Sequence, residues 1–90
     1  MITIGEINLT LPFVHSKKGR RAIVNHIVDK LKRLNISLLD SSGEYPHEGL
    51  IAFTFIRSDK LSSDNAIVKI EDIILERIPE DSFTIEFEVI

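Results

Sequence analysis

The spacing of apolar residues changes along this 90-residue chain from a period of two to one of about 3.6 and back, which restricts the folds that it can adopt. Apolar and polar residues first alternate over residues 2–13, as in a strand with one buried face. Over residues 17–34 the apolar residues instead recur every three or four positions, which predicts an amphipathic helix. The apolar stripe of this helix consists of Ile23, Val24, Ile27, Val28, Leu31 and Leu34.

The first strand contains one change of parity. From Ile7 onwards the apolar residues share one face, whereas Ile2 and Ile4 fall on the other. Gly5 lies where the parity changes, so a β-bulge at this glycine is expected to bring both sets of apolar residues to the same face.

The remaining sequence divides into two further strands, a second helix ended by Pro79 and a last strand: residues 35–39, 49–57, 61–78 and 83–89. Serines and Asp64 at the start of the second helix are predicted to cap it. Residues 40–48 are rich in turn formers and predict a mobile connection.

The strand at residues 49–57 has apolar residues on both faces, which is typical of an interior position in a sheet. Large side chains in a central strand usually face the helices, so Phe53 and Phe55 are predicted to lie in the core. An open sheet face with much apolar surface favours self-association, which makes a homodimer a working hypothesis. That face is predicted to carry Leu50, Ala52, Thr54 and Ile56.

This order of strands and helices predicts an α+β, ferredoxin-like βαββαβ fold, in which two helices cover one face of a four-stranded antiparallel sheet. Right-handed crossovers give the spatial strand order 4-1-3-2. The chain is long enough for one such domain, spanning residues 1–90. Its 43% apolar and 28% charged residues are typical of a globular protein.

Composition and spacing argue against several kinds of chemistry. The absence of cysteine excludes disulfides, thiolate metal sites and a cysteine nucleophile. His15, His26 and His47 lack the spacing of a zinc site, and no pattern pairs a nucleophile with a base, so no catalytic residue, metal or cofactor is predicted. No signal peptide or membrane-spanning run is evident, and a cytoplasmic protein is expected.

Positive charge is concentrated in the first part of the chain. Residues 1–35 hold seven Lys or Arg against two carboxylates, a balance of +5, whereas residues 36–90 hold four against twelve, a balance of −8. Together these make the formal net charge of −3. Such asymmetry suggests a partner that meets one face of the molecule.

Four of these cations follow Ser16, the predicted N-cap of the first helix. The free amide groups make a helix N-terminus positive, so exposed cations there cost roughly 0.3–1 kcal/mol each. A bound anion such as phosphate would turn this repulsion into attraction. With two further cations along the helix, six side chains are the predicted nucleic-acid-binding residues: Lys17, Lys18, Arg20, Arg21, Lys32 and Arg33.

Two considerations bear on this interpretation. The helical period places Arg20 in line with Val24 and Ile27, so its side chain is expected to emerge at the rim of the core. Arginine stems often lie along apolar surface, and a basic helix also neutralises carboxylates of its own chain.

The same segment resembles the YlxP-like family, a group of small bacterial proteins of unknown function. The resemblance is carried by Ser16, the Lys-Lys-Gly-Arg-Arg run, the amphipathic helix and Asn35-Ile36-Ser37, and it covers residues 5–58. It implies a ferredoxin-like fold. Genes of that family tend to lie beside those for transcription termination, translation initiation and ribosome maturation, so the resemblance also implies a link to RNA or ribosomes.

Three functional hypotheses follow. The first is a non-enzymatic accessory protein that contacts the phosphate groups of RNA or ribosomal particles through its basic helix. The second is a protein-interaction module that dimerises through its open sheet face and docks an acidic protein. The third is a small-anion enzyme or sensor that uses Arg20 and the helix terminus.

Overall fold

A computed structural model describes residues 1–90 and contains four strands and two α-helices. In chain order they are β1 (Ile2–Thr10), α1 (Lys17–Leu31), β2 (Ser37–Asp40), β3 (Glu48–Ile56), α2 (Lys60–Leu75) and β4 (Phe83–Val89). Single 3₁₀ turns follow α1 at Lys32–Leu34 and precede β4 at Glu80–Ser82. All strand pairs are antiparallel, in the order β2-β3-β1-β4. Read from the other edge this is 4-1-3-2, so the predicted fold and strand order are confirmed.

The register of β1 is continuous against both of its neighbours, and the predicted bulge at Gly5 is wrong. Because the parity does not change, Ile2 and Ile4 lie on the open face, where they are 42% and 43% exposed. Thr3 takes the core-side position instead and is buried. The strand ends at Thr10, before the end that the alternation predicts.

Gly5 occupies a core-side position at which there is no room for a side chain. A Cβ atom at this position would lie 2.6 Å from Cζ of Phe53 and 2.5 Å from the carbonyl oxygen of Glu86. Phe53 and Phe87 are the residues paired with Gly5 on the two neighbouring strands. The glycine therefore accommodates the ring of Phe53 and does not mark a bulge.

The core lies between the sheet and the two helices. Phe53 and Phe55 are buried in it, which confirms the predicted orientation of β3, and their rings meet edge to face at 6.1 Å. Fifteen buried apolar residues form one cluster: Ile7, Leu9, Leu11, Val14, Val24, Ile27, Leu31, Ile36, Ile51, Phe53, Phe55, Ala66, Ile70, Ile74 and Ile78.

The first helix starts as predicted, because the side chain of Ser16 accepts a hydrogen bond of 3.0 Å from the amide of Gly19. Its continuation ends at Asn35, which has a left-handed backbone (φ 58°). Asparagine tolerates this conformation better than most residues. The left-handed residue interrupts an extended chain, so β2 begins at Ser37 and not at Asn35.

The cap of α2 differs from the prediction. Asp59, not a serine, is the N-cap, and its Oδ1 accepts a hydrogen bond of 2.8 Å from the amide of Ser62. Asp64 lies beyond the first turn and pairs with Lys60 at 2.9 Å. The helix ends at Leu75, ahead of Pro79. Neither helix is long and apolar enough to cross a membrane.

Candidate nucleic-acid interface

Arg20 is buried at the start of α1, with 8% of its surface exposed. It lies on the core side of the helix with Val24 and Ile27. Its Nη1 donates hydrogen bonds of 2.8–3.1 Å to three carbonyl oxygens: those of Gly43 and Tyr45 in the connection between β2 and β3, and that of Glu48, the first residue of β3. This nitrogen is therefore committed to backbone carbonyls of its own chain, and the predicted contact of Arg20 with an external phosphate stays a prediction.

These hydrogen bonds fasten the connection that the sequence predicts to be mobile. The connection makes further hydrogen bonds: the hydroxyl of Ser42 accepts from the amide of Leu50 at 3.0 Å, and the carbonyl of His47 accepts from the amide of Leu11 at 2.7 Å. The connection thus has contacts with both β3 and the segment that leads to α1.

The charge of Lys17 is also neutralised by a residue of the same chain. Its Nζ lies 2.8 Å from Oε2 of Glu44, in the same connection. The hydrogen bond and the positive charge of Lys17 hold the pKa of the Glu44 carboxyl below its ordinary value. The pair is exposed to solvent, so it neutralises a charge without burying either group.

The helix has a second internal ion pair near its end, where Nζ of Lys30 lies 2.7 Å from Oε2 of Glu76. This hydrogen bond, together with the charge of Lys30, lowers the pKa of the Glu76 carboxyl. It links the last turn of α1 to the end of α2, and a cation at a helix C-terminus also matches the helix dipole.

The side chains of the other four predicted site residues make neither a hydrogen bond nor an ion pair with the protein, and all four residues are exposed: Lys18, Arg21, Lys32 and Arg33. At 100° per residue, Lys18, Arg21 and Lys32 fall within one narrow arc of α1 and its 3₁₀ extension. We refer to these three side chains as the α1 stripe. It extends over roughly 21 Å at 1.5 Å per residue, and Asn25 and Asp29 lie between its ends.

Arg33 is set apart from the α1 stripe. It lines a cleft beside the Lys32–Leu34 turn, together with Arg57 at the end of β3 and Lys69 on α2. The sequence offered no motif for Arg57 and Lys69, because they are far from Arg33 in the chain and only the packing of α2 beside the end of α1 brings them together.

Carboxylates of the last strand lie on the open face of the sheet. Glu86 pairs with Glu6 of β1, and Glu88 with Ile4, in the observed register. No three His, Asp or Glu side chains are grouped so that they would hold a metal ion. These carboxylates give the open face negative charge at the β4 side.

The architecture and the exposed cations together define a small ferredoxin-like α+β domain with a basic helix. Its fold is similar to that of three designed proteins. Foldit4 matches with a TM-score of 0.65 at 12% identity, over 100% of this chain and 99% of that one. LFR1 1, described as having a ferredoxin fold, matches with a TM-score of 0.61 at 15% identity over 99% and 84%. Ferredog-Diesel matches with a TM-score of 0.60 at 14% identity over 99% and 85%.

The sequence places the chain in a family. A family model described as a protein of unknown function (DUF503) matches residues 2–86, and the chain belongs to this family. A search of curated proteins found no match. The designed proteins share the fold alone, because their sequence identity is low.

Proposed function

We propose that this protein is a non-enzymatic, cytoplasmic accessory protein that associates with RNA or ribosomal particles, and that its α1 stripe contacts backbone phosphate. The observation that carries the proposal is the exposure of Lys18, Arg21 and Lys32 without an internal partner, in a chain that carries 14 carboxylates. The resemblance to YlxP-like proteins, with its implied link to ribosomes, supports the same setting.

Electrostatics also favours an approach by α1. Glu6, Glu86 and Glu88 repel phosphate from the β4 side of the open sheet face. Lys18 and Arg21 lie at the helix N-terminus, where the dipole adds to their positive charge. Contacts of this kind position the protein on a phosphate backbone but carry little sequence specificity.

Binding through three phosphate contacts has a measurable salt dependence. For a single strand the slope of log K against log salt is about −0.7 per contact, or about −2 in all. Affinity for a single-stranded oligoribonucleotide is therefore expected to fall roughly 20-fold between 50 and 200 mM NaCl. Fluorescence anisotropy with a labelled oligoribonucleotide measures this, and cosedimentation with ribosomal subunits tests the cellular setting.

A charge-matched comparison tests the residues. The variant Lys18→Gln/Arg21→Gln is expected to bind more weakly and to reduce the slope by about 1.4, because two contacts are removed. The control Lys60→Gln/Arg77→Gln removes the same charge from α2 and the turn that follows it. An equal loss of affinity in both variants would mean that net charge alone causes the effect. Absence of binding by the wild type at low salt would overturn the proposal.

A second candidate function rests on the open sheet face. Ile2, Ile4, Leu39 and Ile56 expose 42%, 43%, 65% and 68% of their surface there. This apolar area favours an interaction module that dimerises through the face and presents its basic helix to an acidic protein. Sedimentation equilibrium of the wild type, of Leu39→Asn and of the α2 control Val68→Asn tests it. A wild type that remains monomeric at high concentration would exclude the dimer.

A further inference from the structure

A second group of cations surrounds a cleft of about 380 Å³ between the Lys32–Leu34 turn, the end of β3 and α2. Arg33, Arg57 and Lys69 line it, and none of the lining residues is a carboxylate. A cleft with three cations and no carboxylate is unexpected in a protein with a net charge of −3. Its positive charge therefore favours the binding of an anion from outside the chain.

Arg57 is held in place before any ligand arrives. Its Nη2 donates to the carbonyl of Leu34 at 2.7 Å, and its Nη1 donates to the carbonyl of Ile56 at 2.9 Å. The guanidinium carbon lies 4.9 Å from the centroid of the Phe55 ring. These contacts use two of its five N–H groups, so the protein does not saturate the guanidinium. Fixing the group in advance lowers the entropic cost of binding.

The α2 wall of the cleft supplies neutral donors as well as charge. Ser62, Asn65 and Lys69 follow one another at spacings of three and four residues, so they lie on the same face of the helix. The left-handed Asn35 lines the opposite side. Hydroxyl and amide groups beside guanidinium groups suit a ligand with several oxygen atoms better than a simple halide.

Two of the three cations are unpaired in the protein. Arg33 and Lys69 are exposed and make no ion pair or hydrogen bond. Their mutual repulsion with Arg57 is relieved by an anion held between them. Guanidinium groups match the geometry of phosphate oxygens, which two N–H groups can contact at once.

We propose that this cleft is a phosphate-binding site, which takes either a free phosphorylated small molecule or a phosphate group of RNA. The site contains none of the α1 stripe residues and does not depend on the function proposed above. Its chemistry is binding alone.

The first test is a titration with inorganic phosphate, followed by ¹H–¹⁵N NMR at constant ionic strength, with chloride as the reference anion. The amide signals of Asn35, Ser62 and Asn65 are expected to shift and saturate, with a Kd of roughly 0.1–10 mM, as is ordinary for a small ligand with few contacts. Arg33→Gln/Lys69→Gln is expected to weaken binding at least tenfold. Both side chains are exposed and unpaired, so this variant should fold normally.

The control Lys60→Gln/Arg77→Gln carries the same change in charge outside the cleft and should bind phosphate like the wild type. Shifts that do not saturate, that chloride reproduces, or that persist in Arg33→Gln/Lys69→Gln would overturn the proposal.

A second arm identifies the source of the phosphate. Loss of oligoribonucleotide binding in Arg33→Gln/Lys69→Gln assigns the site to RNA, whereas loss of inorganic phosphate binding with unchanged RNA binding assigns it to a free phosphorylated molecule. If Lys18→Gln/Arg21→Gln did not weaken RNA binding, the function proposed for the α1 stripe would be wrong. The conclusion about the cleft would not change, because it depends on the phosphate titration.

Discussion

Arg20 at the start of α1 and Tyr45 in the connection between β2 and β3 are 25 positions apart and are joined by a hydrogen bond of 2.8 Å, from Nη1 to the Tyr45 carbonyl oxygen. The same nitrogen also donates to the carbonyls of Gly43 and Glu48. One cation of the basic segment thus closes a loop of its own chain. Its charge stabilises the fold, whereas the charges of Lys18 and Arg21 remain available at the surface.

Removing this guanidinium should destabilise the protein. Arg20→Met keeps most of the apolar stem but removes the guanidinium donor from three carbonyl oxygens, of which that of Tyr45 still accepts from the amide of Glu48 at 3.1 Å. The free energy of unfolding is expected to fall by about 2–4 kcal/mol. Urea unfolding measures the change. Arg21→Met, one residue on and exposed, should change it by less than about 0.5 kcal/mol. Similar effects of the two substitutions would contradict the structural role of Arg20.

The ion pair of Lys17 and Glu44 predicts a pH dependence. Because Lys17 lowers the pKa of Glu44 in the folded state, the pair favours folding above the unfolded-state pKa and loses this contribution as pH falls through the folded-state pKa. NMR titration of the Glu44 carboxyl should give a midpoint below the ordinary value. Lys17→Gln should raise this midpoint and Lys18→Gln should leave it almost unchanged; a midpoint indifferent to Lys17 would exclude the pair in solution.

Gly5 should not tolerate a side chain. Gly5→Ala places a methyl group against the Phe53 ring and the Glu86 carbonyl, and overpacking of this kind costs about 1–3 kcal/mol. Gly43→Ala is the matched control, since no atom lies within 4 Å of its added Cβ and its φ is not positive. Thermal unfolding should show a lower Tm for the first variant only. Equal Tm values would mean that the strands shift to make room.

Replacement by valine is expected to have opposite effects on the free energy of unfolding at two threonines, Thr3 and Thr54. The hydroxyl of Thr3 is buried without a partner, whereas that of Thr54 donates to the carbonyl of Thr3 at 2.9 Å. Thr3→Val removes an unsatisfied polar group and is expected to raise the free energy of unfolding by up to about 1 kcal/mol. Thr54→Val removes a made hydrogen bond and should lower it by about 1 kcal/mol. A large loss in Thr3→Val would show that its hydroxyl has a partner in solution.

Much of the fold is predictable from local patterns. The 3.6-residue period locates α1, and the two-residue period locates β4, because burial of one face is a property of each element by itself. The errors lie where a position depends on distant residues. At Gly5 the apolar pattern changes parity although the strand does not, because the Phe53 ring occupies the space of a core-side side chain there. The cap of α2 is a local exception: it falls on Asp59, where the chain is still extended, and not on the serines that follow.

The candidate site divides in the same way. That α1 is basic and that Ser16 caps it follows from the sequence alone, since helical spacing and capping act over a few residues. The sequence alone does not show which of its cations are free. The partner of Lys17 lies 27 positions away and those of Arg20 lie 23–28 positions away, and they meet these cations only when the β2–β3 connection packs on the helix start. The cleft of Arg33, Arg57 and Lys69 likewise exists only in the folded chain. Coulomb and hydrogen-bond energies depend on distance in space, and tertiary packing alone determines that distance for residues so far apart in sequence.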